Sequence, residues 1–102
     1  MKKITIHTPE KFTKIILETA NKSGAGLIGD YDFCSFITKG IRTFRPLPGA
    51  NPTVGEVNEI NYVPEDKIEF ICPDEFVNLC IKNMKKIHPY QEMAYDIVEI
   101  LK

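Results

Sequence analysis

Two segments of this chain carry apolar residues at the spacing of one helix face, and the other patterned segments alternate with a period of two. Few architectures accept that order. Phe12, Ile15, Ile16, Thr19 and Ala20 stand at i, i+3, i+4, i+7 and i+8, which predicts a helix with one buried stripe. Thr8-Pro9-Glu10 supplies its start: a hydroxyl for the N-cap, a proline at the first helical position and an acid in the first turn. Ser23-Gly24 ends it, with Gly24 as a left-handed cap. The second helix opens at Pro73-Asp74-Glu75, buries Phe76, Val77, Cys80, Ile81, Met84 and Ile87, and stops at His88-Pro89.

The remaining pattern is strand-like. Ile4 and Ile6 alternate in a first strand over 3–7. Phe33 to Ile37 and Ile41 to Arg45 read as a β-hairpin turning at Gly40, which pairs Ile37 with Ile41 and Cys34 with Phe44. The next segment, PLPGANPTVG, is too rich in proline for a central strand and reads as an ordered loop or crossover. Glu56 to Val63 and Lys67 to Cys72 read as a second hairpin, closed by Pro64-Glu65-Asp66. Ala94 to Leu101 is a last strand with apolar groups on both faces, expected to be covered on both sides. If the two hairpins form the middle of the sheet, the order is β-α-β-β-α-β. That is an α+β, ferredoxin-like sandwich with an extra β-hairpin. Both helices would cover one face, leaving an apolar face in need of a partner.

The chain has 102 residues, enough for one domain over 1–102 and too few for two. Its 43% hydrophobic content supports a core. Thirteen basic and fourteen acidic residues leave a net charge of −1, without the basic excess of a nucleic-acid binder. Lys85-Lys86 falls at a helix C-terminus, where cations suit the dipole, and reads as a solvated face. Cys34, Cys72 and Cys80 are an odd set with no CxxC spacing, which argues against a disulfide framework and a structural zinc site. No run approaches the ~18 apolar residues of a membrane span. The start, MKKITIHTPE, has no apolar region of a signal peptide. A cytoplasmic location is expected, with no nucleic-acid or membrane partner.

Three motifs have a chemical reading beside a plain one. Gly24-Ala25-Gly26-Leu27-Ile28-Gly29 matches G-x-G-x-x-G. A dinucleotide site needs a strand before that motif and a helix after it. Here a helix precedes and a strand follows, so the motif reads as a cap and a tight turn. His88, Glu92 and Asp96 are metal-ligand types around His88-Pro89-Tyr90-Gln91-Glu92. They straddle a loop and a strand, so their convergence is not implied, and His88 reads rather as a cap on the last helical carbonyls, with Tyr90 packing. Arg42 and Arg45 flank Phe44 and offer either an anion clamp or intersubunit salt bridges. Adjacent strand positions set Arg42 and Phe44 on one face and Arg45 on the other. With His7 and His88 the only histidines, acid-base catalysis has few candidate actors.

GAGLIGDYDFCSF, GIRTFRPLPGANPTVGEVNEINYV and IHPYQEMAYDIVEIL, in that order, resemble the YqfO-type domain of the Nif-three-like proteins, from Thr8 to Leu101. In the larger relatives this domain is an insertion between domains that carry a dinuclear metal site of His, Asp and Glu. The resemblance implies that this chain is the insertion standing alone, with a CutA/PII-like fold and a homotrimer as its assembly. It does not imply the dinuclear metal chemistry. Two departures stand out. The family commonly reads G-x-G-T where this chain has Gly40-Ile41-Arg42-Thr43, and H-P-Y-E-E-P where it has His88-Pro89-Tyr90-Gln91-Glu92-Met93. The matching positions Tyr31, Cys34, Phe44, Arg45, Tyr90 and Asp96 are the candidate ligand site, with His88 and Glu92 as candidate metal ligands. The expected function is a small trimeric binding or regulatory module rather than an enzyme. No cofactor is expected, and the alternative is a divalent-metal-binding protein resembling CutA.

Overall fold

The computed structural model describes residues 1–52, 55–90 and 92–101. Its elements run β1 (Lys2–Pro9), α1 (Thr13–Lys22), β2 (Phe36–Phe44), β3 (Asn61–Cys72), α2 (Val77–Ile87) and β4 (Tyr95–Glu99). The four strands form one antiparallel sheet in the order β2-β3-β1-β4. This is the β-α-β-β-α-β plan expected from the sequence.

Period-two alternation decides which face of the sheet is covered. Ile4 and Ile6 of β1 and Ile68, Phe70 and Cys72 of β3 point one way and are buried. Against them pack Ile16 and Ala20 of α1 and Val77, Cys80, Ile81 and Met84 of α2. Gly24 has φ +86° and closes α1 as expected: its N–H donates to Asn21 O at 3.2 Å, and Ala25 N–H donates to Ala20 O at 3.0 Å.

The start of α1 differs from expectation. Thr8 is a buried residue of β1 and caps nothing; a 3-10 turn over Glu10–Phe12 leads into the helix, which has no side-chain cap. The helix is also rotated relative to the expected stripe, so that Leu17 packs on the core while Ile15 is exposed. Phe76 likewise falls in a 3-10 turn and is exposed.

The largest correction concerns the middle of the chain. The two short hairpins do not exist. β2 and β3 are two long strands paired with each other, Phe36 opposite Glu69 through Phe44 opposite Asn61. Ile37 faces Ile68 and Ile41 faces Pro64, so the Ile37–Ile41 and Cys34–Phe44 pairings are replaced. Gly40 lies inside β2, where a Cβ would meet nothing within 4 Å. Pro64 is tolerated in β3 because the β1 ladder ends one residue earlier, at Pro9 opposite Glu65. Beyond that point Ile41–Phe44 and Asn61–Pro64 form a two-stranded arm. The segment PLPGANPTVG joins the arm's strands as a loop, with Thr53 and Val54 outside the described residues. The molecule is elongated, 46 × 24 × 23 Å.

β4 is an edge strand, and Ile97 and Val98 on its two faces are exposed rather than covered. No helix among the described residues is long and apolar enough to cross a membrane.

Candidate functional site

The helices leave one face of the sheet open. The ladders place Thr5, His7, Thr38, Arg42, Glu65, Lys67, Glu69 and Asp96 on it, with Phe36, Phe44, Ile71 and Val98 among them. It is therefore a mixed face and not the apolar one expected.

Glu65 is the residue of this face that sequence reasoning missed. It is 4% exposed, and its Oε1 accepts a 2.6 Å hydrogen bond from Arg42 Nε. Its Oε2 is buried without a hydrogen-bond partner. The Tyr90 hydroxyl is also buried and lies close enough to the Glu65 carboxylate to share a proton with it. Burial first, and the Glu65 carboxylate second, push the Tyr90 phenol above its ordinary pKa. The Phe44 and Tyr90 rings meet with centroids 6.3 Å apart, and the His88 ring stands edge-on to Tyr90 at 5.4 Å. Arg42, Phe44, Glu65, His88 and Tyr90 thus form one polar-aromatic cluster.

His88 is buried at the end of α2, and both its ring nitrogens are engaged. Nε2–H donates to His7 O at 2.7 Å, and Nδ1 accepts from Tyr90 N–H at 3.2 Å. Those two bonds define the neutral Nε2–H tautomer. Burial, the largest cause, lowers the His88 pKa; burial and then the Arg42 charge lower that of His7. A ring with both nitrogens hydrogen-bonded inside the chain has no lone pair free for a metal. Glu92 is exposed, and Gln91 lies outside the described residues. Among the described residues no group of three His, Cys, Asp or Glu side chains gathers as a metal site.

The other candidates are divided. Asp96 lies on the same open face, near enough to His7 to act on its charge. Arg45 is exposed beyond the end of β2. Tyr31 and Cys34 line a different feature, an open groove of about 720 Å³. Its walls include Phe33, Phe36 and Ile71, beside the Lys3–Glu69 ion pair at 2.9 Å. The loop that builds it is pinned to β3: Gly26 N–H donates to Ile71 O, and Cys34 N–H donates to Gly26 O, both at 2.8 Å. Gly26 has φ +74° and Phe33 φ 55°, so the loop holds a conformation that side chains rarely adopt.

No family model matches the chain. It is 38% identical over 100 residues to the GTP cyclohydrolase 1 type 2 homolog of Bacillus subtilis, covering 98% of this chain and 27% of that protein. The protein of the same name from Mycobacterium tuberculosis is 32% identical over 99 residues, covering 97% of this chain and 26% of that one. The chain thus spans about a quarter of the length of the curated relatives it matches. A Bacillus cereus protein related to NIF3 superposes with a TM-score of 0.85 at 32% identity, over 99% of this chain and 26% of that one. CutA1 from Pyrococcus horikoshii superposes with a TM-score of 0.72 at 12% identity, over 100% of this chain and 85% of that one, a likeness of fold alone. The chain belongs with the domain that makes up about a quarter of these NIF3-related proteins, and it has the CutA/PII-like fold.

Proposed function

We propose that this chain is a small binding or regulatory module that works as a homotrimer, with the open sheet faces turned inward and a small-ligand site at the cluster of Arg42, Phe44, Glu65, His88 and Tyr90. One observation carries the reading. Glu65 is a buried carboxylate on a face that no helix covers, held by Arg42 and shared with the buried Tyr90 hydroxyl. Such groups are costly unless something satisfies them. A ligand or a neighbouring subunit on the open face can do so, with the Phe44 and Tyr90 rings as apolar walls. Three-fold closure comes from the resemblance to CutA and PII proteins.

His88 and the two core thiols favour binding over catalysis. Both nitrogens of His88 are engaged. Cys72 and Cys80 are fully buried thiols, and burial pushes Cys80 up to about 12.

Light scattering tests the assembly, and a monomer at micromolar concentration refutes it. A thermal-shift screen with nucleotides and divalent cations tests the site. The expected result is a stabilising ligand whose effect is lost in Glu65→Gln. Stabilisation by a divalent cation that is lost in His88→Ala refutes this assignment in favour of metal binding.

A further inference from the structure

We propose that the groove under the loop from Gly26 to Ser35 is the seat for the β2–β3 arm of a second copy of this chain. The inference rests on the self-association proposed above and says where it takes place.

The groove is built to receive something larger than a small molecule. Small-ligand pockets bury most of their ligand between covered walls. Here Tyr31 is 75% exposed and Phe36 69%. A rigid loop that presents aromatic side chains at low entropic cost is what protein contacts use at their centres. The arm has the complementary need. Ile41 is 65% exposed and Tyr62 70%, with Leu47 and Ile60 also exposed near its tip. On the side of β3 where β1 has ended, residues 61–64 have no ladder neighbour.

The arm of one copy cannot fill its own groove. Phe36, in the groove wall, begins β2, and Phe44, on the arm, ends it. Eight residues of strand separate them by roughly 27 Å. Charge points the same way. Asp32 is exposed and lines the groove, and Asp30, two residues before it, is exposed as well. Arg45, next to the arm's last strand residue, makes no ion pair or hydrogen bond to another described residue, and its guanidinium suits a site of aromatic faces and carboxylates. Lys3, the groove's own cation, is engaged by Glu69.

Arm and groove are different surfaces, so the contact is head-to-tail, and a head-to-tail contact either closes into a ring or runs on as a filament. That permits a direct test with full-length protein. Phe36→Asp spoils the groove and keeps the arm; Ile41→Asp spoils the arm and keeps the groove. Both positions are exposed, so circular dichroism should match wild type, and Tyr31→Asp replaces Phe36→Asp if that variant misfolds. By light scattering, wild type is expected to assemble. Each variant alone should associate at least about 30-fold more weakly, the loss typical of an interface hot spot. Mixing the two variants should give a one-to-one dimer through the one intact arm and groove. Variants that assemble like wild type overturn the seat while leaving self-association standing, and so does a mixture in which both remain monomeric. A monomeric wild type overturns self-association, and the seat with it.

Discussion

Arg42→Met should destabilise the fold by about 3 kcal/mol, although it removes no core residue. Glu65 has Arg42 as its only ion-pair partner among the described residues. Methionine keeps much of the arginine stem and removes the cation, leaving a carboxylate that is buried and unpaired. Breaking a buried ion pair in this way costs about 3–5 kcal/mol. The Arg42 side chain is 25% exposed, so water reaches one side of the pair and the lower end of that range applies. For a domain of this size the loss corresponds to a melting temperature lower by about 12 °C or more. The double variant Arg42→Met with Glu65→Leu removes the stranded charge and should return to within about 1 kcal/mol of wild type. Urea unfolding followed by circular dichroism measures both. All samples need the same chain concentration, because self-association adds stability by mass action. A loss below about 1 kcal/mol in the single variant, or a double variant no more stable than the single, refutes the view of Glu65 as a buried charge held by Arg42.

Ile16→Ala and Ile81→Ala remove buried side chains from the two helices, and urea unfolding should show a loss of about 2–5 kcal/mol for each. Gly24→Ala should cost about 1–3 kcal/mol by the same measurement, since the residue sits at φ +86° and a Cβ would lie 2.7 Å from the Phe76 ring; an unchanged midpoint counts against the cap. His7 and His88 are both held below their ordinary pKa in the fold, so the unfolded chain takes up protons first as pH falls below about 6.5. Stability should therefore be flat above that pH and decline below it, by at most about 1.4 kcal/mol per pH unit for each histidine. His88→Gln should reduce that slope, and an unchanged slope refutes the assignment. A thiol reagent on the native protein should modify Cys34 and spare Cys72 and Cys80, which are fully buried; mass spectrometry after digestion reads this directly.

The outer elements were legible because their signals are local. The apolar spacing of α2, the glycine cap of α1 and the alternation of Ile4 and Ile6 each depend on neighbours within a few residues. β2 and β3 were not, because turn chemistry competed with pairing. Gly40 and Pro64-Glu65-Asp66 are good turn residues, but whether a chain turns there depends on what lies opposite. Gly40 faces Glu65 across the ladder, and Pro64 lies just past the end of β1. Reading 61–72 as one strand would have set Val63, Glu65, Lys67 and Glu69 on a single face. That face carries Arg42 opposite Val63, and the Arg42–Glu65 pair would then have been visible. Phe44, Tyr90 and His88 lie in ring contact with one another along one line, Phe44 on Tyr90 and Tyr90 on His88. Tyr31 and Cys34 fell elsewhere because the glycine-rich loop follows Ile71 at the far end of β3.

The ladder between β1 and β4 pairs Lys2 with Glu99, and neighbouring strands lie about 4.8 Å apart. Chain therefore enters and leaves this unit at adjacent points on one rim. Such a unit can be spliced into a surface loop of a host protein while the host's own backbone on either side of the splice stays together. The opposite rim is where Pro9 ends β1 and the β2–β3 arm continues alone. In a unit joined to other chain at the first rim, the arm lies at the end away from the join.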